Sequence, residues 1–140
     1  MRTMSLDLGS HTIGVAVSDY TGLIANGVET IRRTSPERDF LRLGELLAQW
    51  EAEEVVLGYP KNMNGTIGER ARLTEEFADE LRRRFPGIQV VLWDERLSTV
   101  EAERVLIDAD LRRKKRRNVI DMMAAVVILQ SYLDNKNRKR

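Results

Sequence analysis

Short apolar runs closed by turns alternate along this chain with longer stretches whose apolar positions recur every three or four residues. Residues 4–8 and 13–18 are the first two runs, and the link Gly9-Ser10-His11-Thr12 is too short for anything but a hairpin. Asp19-Tyr20-Thr21-Gly22 turns again into residues 23–30, a weaker strand interrupted by Asn26 and Gly27. The opening is therefore expected to be a three-stranded antiparallel meander. Ser35-Pro36 supplies an N-cap and a proline for a helix to residue 51, with Phe40, Leu43, Leu47 and Trp50 on its apolar face. Gly44 weakens that helix by roughly 1 kcal/mol relative to Ala. Residues 55–58 are a continuous apolar run suited to a buried parallel strand, ending in an Asn-, Gly- and Pro-rich loop at 59–66. A second helix is expected over 67–85, with the stripe Leu73, Phe77, Leu81 and Phe85, and Pro86-Gly87 stops it. Residues 88–93 read as the last strand. Ser98 with Glu101 is a capping box for a helix to about residue 109. A final helix is expected over 118–135, with Asp121 in its first turn and no charge from 122 to 133.

The order β-β-β-α-β-α-β-α-α predicts an α/β fold with one mixed five-stranded sheet, its first three strands antiparallel, helices on both faces and right-handed crossovers. This is the ribonuclease H-like topology. It sets the first strand centrally, beside the strand ending at Gly58, with ligands gathering where the winding reverses. A chain of 140 residues can bury one core, so residues 1–135 are assigned to a single domain and 136–140 to a basic, mobile tail.

Composition narrows the chemistry. The absence of Cys removes disulfide staples and a thiolate nucleophile, and a single His argues against a protein-held zinc ion. Any metal would be held by oxygen. No apolar run reaches the roughly 18 residues of a membrane span, and the first residues lack the apolar core of a signal peptide, so the chain is expected in the cytoplasm without a membrane partner. The net charge of +1 conceals a segregation: residues 112–140 carry ten Lys and Arg against two Asp, and the preceding residues carry thirteen against twenty acids. Such a basic end predicts a polyanionic partner, nucleic acid above all.

Three acidic positions stand where apolar sequence predominates: Asp7 on the first strand, Asp94-Glu95 at the end of the last, and Asp121 at the head of the final helix. Singly, each has a simple explanation. Asp7 would cap a turn, Asp94 and Glu95 would pair with Arg96, and Asp121 would favour the helix dipole by about 0.3–1 kcal/mol. Together they say more, because the expected sheet brings the first and last strands to one region. Carboxylates within ~4 Å repel by roughly 4 kcal/mol per pair at an effective dielectric of 20, and a divalent cation removes that repulsion. Mg2+ or Mn2+, as two ions, would activate water and stabilise the leaving oxygen of a phosphodiester. Neighbours on a strand point to opposite faces, so only one of Asp94 and Glu95 can be a ligand, and the pattern does not choose.

The loop after Gly58 offers Tyr59 for stacking and Lys61, Asn62 and Asn64 as donors, with Arg70 just beyond. Arg96 and the run Arg112, Arg113, Lys114, Lys115, Arg116 and Arg117 would position phosphates, and His11 is expected to be a turn residue or phosphate contact. The hairpin 9–14 also has the look of the phosphate grip in actin-like and sugar-kinase ATPases. Those proteins close two domains around their nucleotide, and 140 residues supply one.

Four ordered motifs carry a resemblance to a known family. They are Asp7-x-Gly9 with residues 14–19; Gly58-x-Pro60 with Gly65 and Gly68; Asp94-Glu95-Arg96-Leu97-Ser98-Thr99; and Ile120-Asp121-x-x-Ala124-Ala125 leading to Ile128-Leu129-Gln130. Over nearly its whole length the sequence resembles the YqgF (RuvX) family of pre-16S rRNA nucleases, relatives of RuvC-type Holliday junction resolvases. The resemblance implies a nuclease maturing the 5′ end of small-subunit ribosomal RNA, with Asp7, Glu95 and Asp121 holding the metal and Asp94 behind them. His11 and Thr12 depart from the family, where Lys and Arg are common. A junction-cleaving DNA endonuclease and a non-catalytic RNA-binding assembly factor are the alternatives, and monomer or homodimer is left open.

Overall fold

Alternation along the first strand sets the two faces of the sheet. In the computed structural model, which describes residues 2–61, 64–95 and 116–138, β1 (Arg2–Leu8) sends Met4 and Leu6 into the main core, while Ser5 turns the other way and donates to the backbone oxygen of Ala125 at 2.6 Å. β2 (Thr12–Ser18) and β3 (Ala25–Arg32) follow as an antiparallel meander, and β4 (Ala52–Tyr59) and β5 (Gln89–Asp94) add parallel strands on the other side of β1. The sheet order is β3-β2-β1-β4-β5, so the central strand carries Asp7, as expected.

Helices α1 (Pro36–Gln49) and α2 (Glu69–Arg84) cover one face. Phe40, Leu43, Leu46, Leu47, Phe77, Ala78 and Leu81 pack there on Met4, Leu6, Ile13, Val15, Val55 and Leu57. α1 starts as its sequence suggested, with the Ser35 hydroxyl accepting from the Arg38 amide at 3.3 Å and proline in the first turn. The glycine at 44 has a packing reason: a Cβ there would lie 3.2 Å from the Phe85 ring. The long helix α3 (Arg116–Arg138) covers the opposite face through Ala125, Leu129 and Leu133 on Ala16. None of the described helices is long and apolar enough to cross a membrane.

Several boundaries differ from expectation. β3 begins at Ala25 instead of residue 23, because the Asp19 carboxylate gathers the preceding turn, accepting from the Thr21 hydroxyl at 2.6 Å and the amides of Leu23 and Ile24 at 3.0 and 3.2 Å. Those bonds hold the Asp19 carboxyl below its usual range. Leu73 was expected on the buried stripe of α2 and is 53% exposed, because the core ends one turn below it at Phe77. α3 is already helical at Arg116, ahead of Asn118, and continues to Arg138. Asp121 therefore lies beyond the first turn, where the helix-dipole explanation loses most of its force. The helix expected at 98–109 lies outside the described residues.

The far end of α3 is tied to the sheet by a buried charge. Glu54 on β4, 4% exposed, accepts from the Thr3 hydroxyl and the Tyr132 hydroxyl, both at 2.9 Å, and Lys136 stands 3.7 Å away. Burial and this carboxylate push the Tyr132 hydroxyl up to about 12.

Candidate active site

β1 and β4 run parallel, so their carboxyl ends share one edge with the end of β5. Asp7 stands one residue before the end of β1, and its partner across the hairpin is Gly14. A Cβ on Gly14 would fall on the backbone carbonyl of Asp121, so only glycine lets α3 lie directly on β2. That close approach brings the Asp121 carboxylate to the end of β1, where the Thr12 hydroxyl donates to its Oδ2 at 2.7 Å. Glu95 follows β5, one strand beyond β4. The gap is bridged over Gly58: a Cβ there would sit 2.5 Å from Glu95 Oε1 and 2.7 Å from Ile128 Cδ1. With that space open, Glu95 forms a side-chain hydrogen bond with Asp7.

The electrostatics of this meeting are unfavourable without a cation. Burial first, then the charges of Glu95 and Asp121, push the Asp7 carboxyl from 3.8 to about 7. Burial also raises Glu95, and Asp94 beside it adds to the shift. Arg70, in the first turn of α2, opposes both shifts, and its Nη2 lies 3.5 Å from the backbone oxygen of Leu8. A hydrogen bond between two carboxyl groups requires a proton on one of them, and a cation bound between Asp7 and Glu95 would displace it. The donor set is all oxygen and suits Mg2+ or Mn2+. The acids are grouped without being in ligand geometry: among the described residues no three His, Cys, Asp or Glu side chains form a set that could hold a metal as they stand.

The other residues singled out from sequence divide. His11 is exposed at the hairpin tip and lines, with Thr12, Thr30, Arg32 and Asp121, a hollow of about 750 Å³. Lys61 lies 5.8 Å from the Tyr59 ring centre. Tyr59 itself is not open for stacking. It is 7% exposed, its hydroxyl is bonded to Glu75, and burial raises its pKa. Asn64 is exposed and spends its side-chain oxygen on the Thr66 amide and hydroxyl, at 3.1 and 2.7 Å, which shapes the turn. Asp94 ends β5 opposite Tyr59. Asn62, Arg96 and the basic residues 112–115 lie outside the described residues, as do the side chains of Arg116 and Arg117.

Arg32, which lines the hollow beside Asp121, escaped the sequence reading, as did the roles of three residues named there only as motif positions or as a departure from them: Gly14 and Gly58, which make the close approaches, and Thr12, which orients Asp121. Glycine inside an otherwise apolar strand was the signal available for the two glycines.

A family model described as "RuvX: Holliday junction resolvase" matches residues 1–135. A protein of Geobacillus kaustophilus (strain HTA426), named "Putative pre-16S rRNA nuclease", is 57% identical over 138 residues, which cover 97% of this chain and 99% of that one. A protein of the same name from Listeria innocua serovar 6a (strain ATCC BAA-680 / CLIP 11262) is 55% identical over 139 residues, 98% of this chain and 100% of its own. Among solved structures, T. thermophilus RuvC in complex with Holliday junction substrate superposes with a TM-score of 0.66 at 16% identity, covering 99% of this chain and 96% of that one. Fowlpox virus resolvase with its substrate Holliday junction DNA gives 0.62 at 13% identity, covering 97% and 99%. At these identities the two structures show the shared fold.

Proposed function

Because this chain belongs to the RuvX family, we propose that it is a divalent-metal-dependent nuclease that hydrolyses phosphodiester bonds of precursor 16S ribosomal RNA. Relatives that carry that name are more than half identical over nearly the whole length, which favours RNA over the junction DNA bound by the more distant resolvases. The observation that carries the reading is the convergence of Asp7, Glu95 and Asp121, drawn from three distant parts of the chain to the edge where β1, β4 and β5 end.

In this reading Asp7, Glu95 and Asp121 hold Mg2+ or Mn2+, with Asp94 behind Glu95. Bound metal would supply Lewis-acid activation of water and stabilisation of the departing oxygen. The chain's own residues do the rest. Thr12 fixes the rotamer of Asp121 through its 2.7 Å hydrogen bond, and Arg70 lowers the cost of bringing Asp7 and Glu95 together. His11 and Arg32 line the hollow beside Asp121 and meet the phosphates of the bound strand. Lys61 and, by their charge or polarity in the sequence alone, Asn62, Arg96 and the basic residues 112–117 are further candidate phosphate contacts.

The test offers labelled 5′-extended 16S fragments and a four-way DNA junction to wild type and Asp121→Asn, each with Mg2+ or Mn2+. Cleavage of the RNA by wild type and its loss in the variant is the expected outcome. Preferential cutting of the junction would move the substrate to DNA, and RNA left intact with either metal would sink the nuclease reading.

A further inference from the structure

The apolar stripe of α2 outruns the core. Phe77 and Leu81 are buried, while Leu73, one turn above Phe77, stands 53% exposed over a hollow of about 740 Å³ between α1, α2 and the β1–β2 hairpin. The base of this hollow is the stacked pair Phe40 and Phe77, ring centres 4.8 Å apart. Arg33 forms one side and is held rigidly. Its Nη1 donates to the backbone oxygen of Gly9 at 2.7 Å, its Nε lies 3.7 Å from Asp39 Oδ2, and its guanidinium stands 5.9 Å from the Phe77 ring centre. Arg70, which also faces Asp7 and Glu95, closes the side toward the acids.

Charge and position together identify the occupant. Asp39, Glu76 and Glu80 offset the two arginines, so the hollow has no surplus positive charge to draw a free phosphate. Its apolar base, fixed planar cation and mixed donors and acceptors suit a flat, uncharged group with apolar faces and a hydrogen-bonding edge, as a nucleobase has. The hollow lies behind the hairpin tip Gly9-Ser10, which it shares with the hollow containing Asp121. Arg32 and Arg33, consecutive near the end of β3, point to opposite faces, so each hollow receives one of them. A single strand bent over the tip would leave a phosphodiester on the acid side and the next base on the other.

We propose that the hollow under Leu73 is a subsite for the unpaired nucleobase adjoining the bond to be cut, with Leu73 and Arg33 against the base and Arg70 toward its phosphate; this rests on the nuclease reading above. The probe is adenosine or guanosine 5′-monophosphate titrated into the full chain while the Leu73 methyl resonances are followed. Saturable shifts are expected in wild type and in Asp7→Asn, with affinity weakened about tenfold or more in Leu73→Glu, which alters an exposed position and keeps the wild-type melting temperature. Inorganic phosphate should leave the Leu73 methyls unmoved. Absence of saturable shifts, equal affinity in Leu73→Glu, or the same shifts with phosphate alone would overturn the subsite. RNA cleavage without nucleotide at Leu73 would remove the subsite and leave the nuclease, whereas nucleotide at Leu73 in a protein that cuts no RNA would do the reverse.

Discussion

Replacing Asp7 by Asn should make the metal-free protein more stable while abolishing cleavage. Asp7 is partly buried beside Glu95 and Asp121, and its carboxyl is pushed from 3.8 to about 7. A move of that size corresponds to about 4 kcal/mol of penalty on the ionised form, and sharing the cost with Glu95 brings it to roughly 2 kcal/mol for one substitution. Asn fits the same space and can donate to Glu95 without a shared proton. The sign follows from the raised value. Below 3.8 the folded and unfolded chains both carry the proton and the penalty vanishes. Between 3.8 and about 7 the unfolded chain releases a proton that the folded one keeps, so rising pH lowers wild-type stability, and above about 7 the full penalty is present. Thermal unfolding in a chelator should show Asp7→Asn melting about 6 °C higher near pH 8 and at most about half as much higher near pH 5. Added Mg2+ should stabilise wild type more than the variant, since only wild type keeps all three acids. Equal melting near pH 8, or a gain independent of pH, would refute the electrostatic account of the site.

Gly58→Ala places a methyl where Glu95 Oε1 and Ile128 now lie, so kcat should fall by about tenfold to a hundredfold with KM little changed and a loss of about 1–2 kcal/mol in stability; wild-type kcat would show that Glu95 does not need that space. Glu54→Ala strands Thr3, Tyr132 and Lys136 and should cost about 2–4 kcal/mol in denaturant unfolding; a change within about 0.5 kcal/mol would mean the network is already solvated. If all six basic residues at 112–117 meet single-stranded phosphates, the log–log salt slope of RNA binding should be about −4 and should collapse when they are replaced by Gln. A slope near zero would make that run a solvating surface.

Strand and helix existence was legible because turn chemistry and apolar period agree in most segments. Asp7 was conspicuous as an acid within an apolar strand, and the strand order followed from the meander and two crossovers. What resisted reading was contact at a distance. Glycine inside an apolar strand hints at a close approach, but nothing local says that it is Asp121 that comes over Gly14 or Glu95 that needs the space at Gly58, because both arrive from elsewhere, on α3 and at the end of β5. Tyr59 looked like a stacking platform because its loop is polar, yet β4 extends one residue further than its apolar run and buries the ring. Leu73 looked like core because it keeps helical step with Phe77, and helical period does not register where the core ends.

The two ends of α3 work like the mounts of an optical bench. From Lys136 at the Glu54 anchor to Asp121 at Gly14 the helix spans about 22 Å. A tilt of about 3° about the far mount would carry the Asp121 carboxylate about 1 Å, the scale on which reaction rates fall steeply. Alignment of the acidic edge is therefore set partly at the opposite end of the sheet, by Glu54 and its partners Thr3, Tyr132 and Lys136.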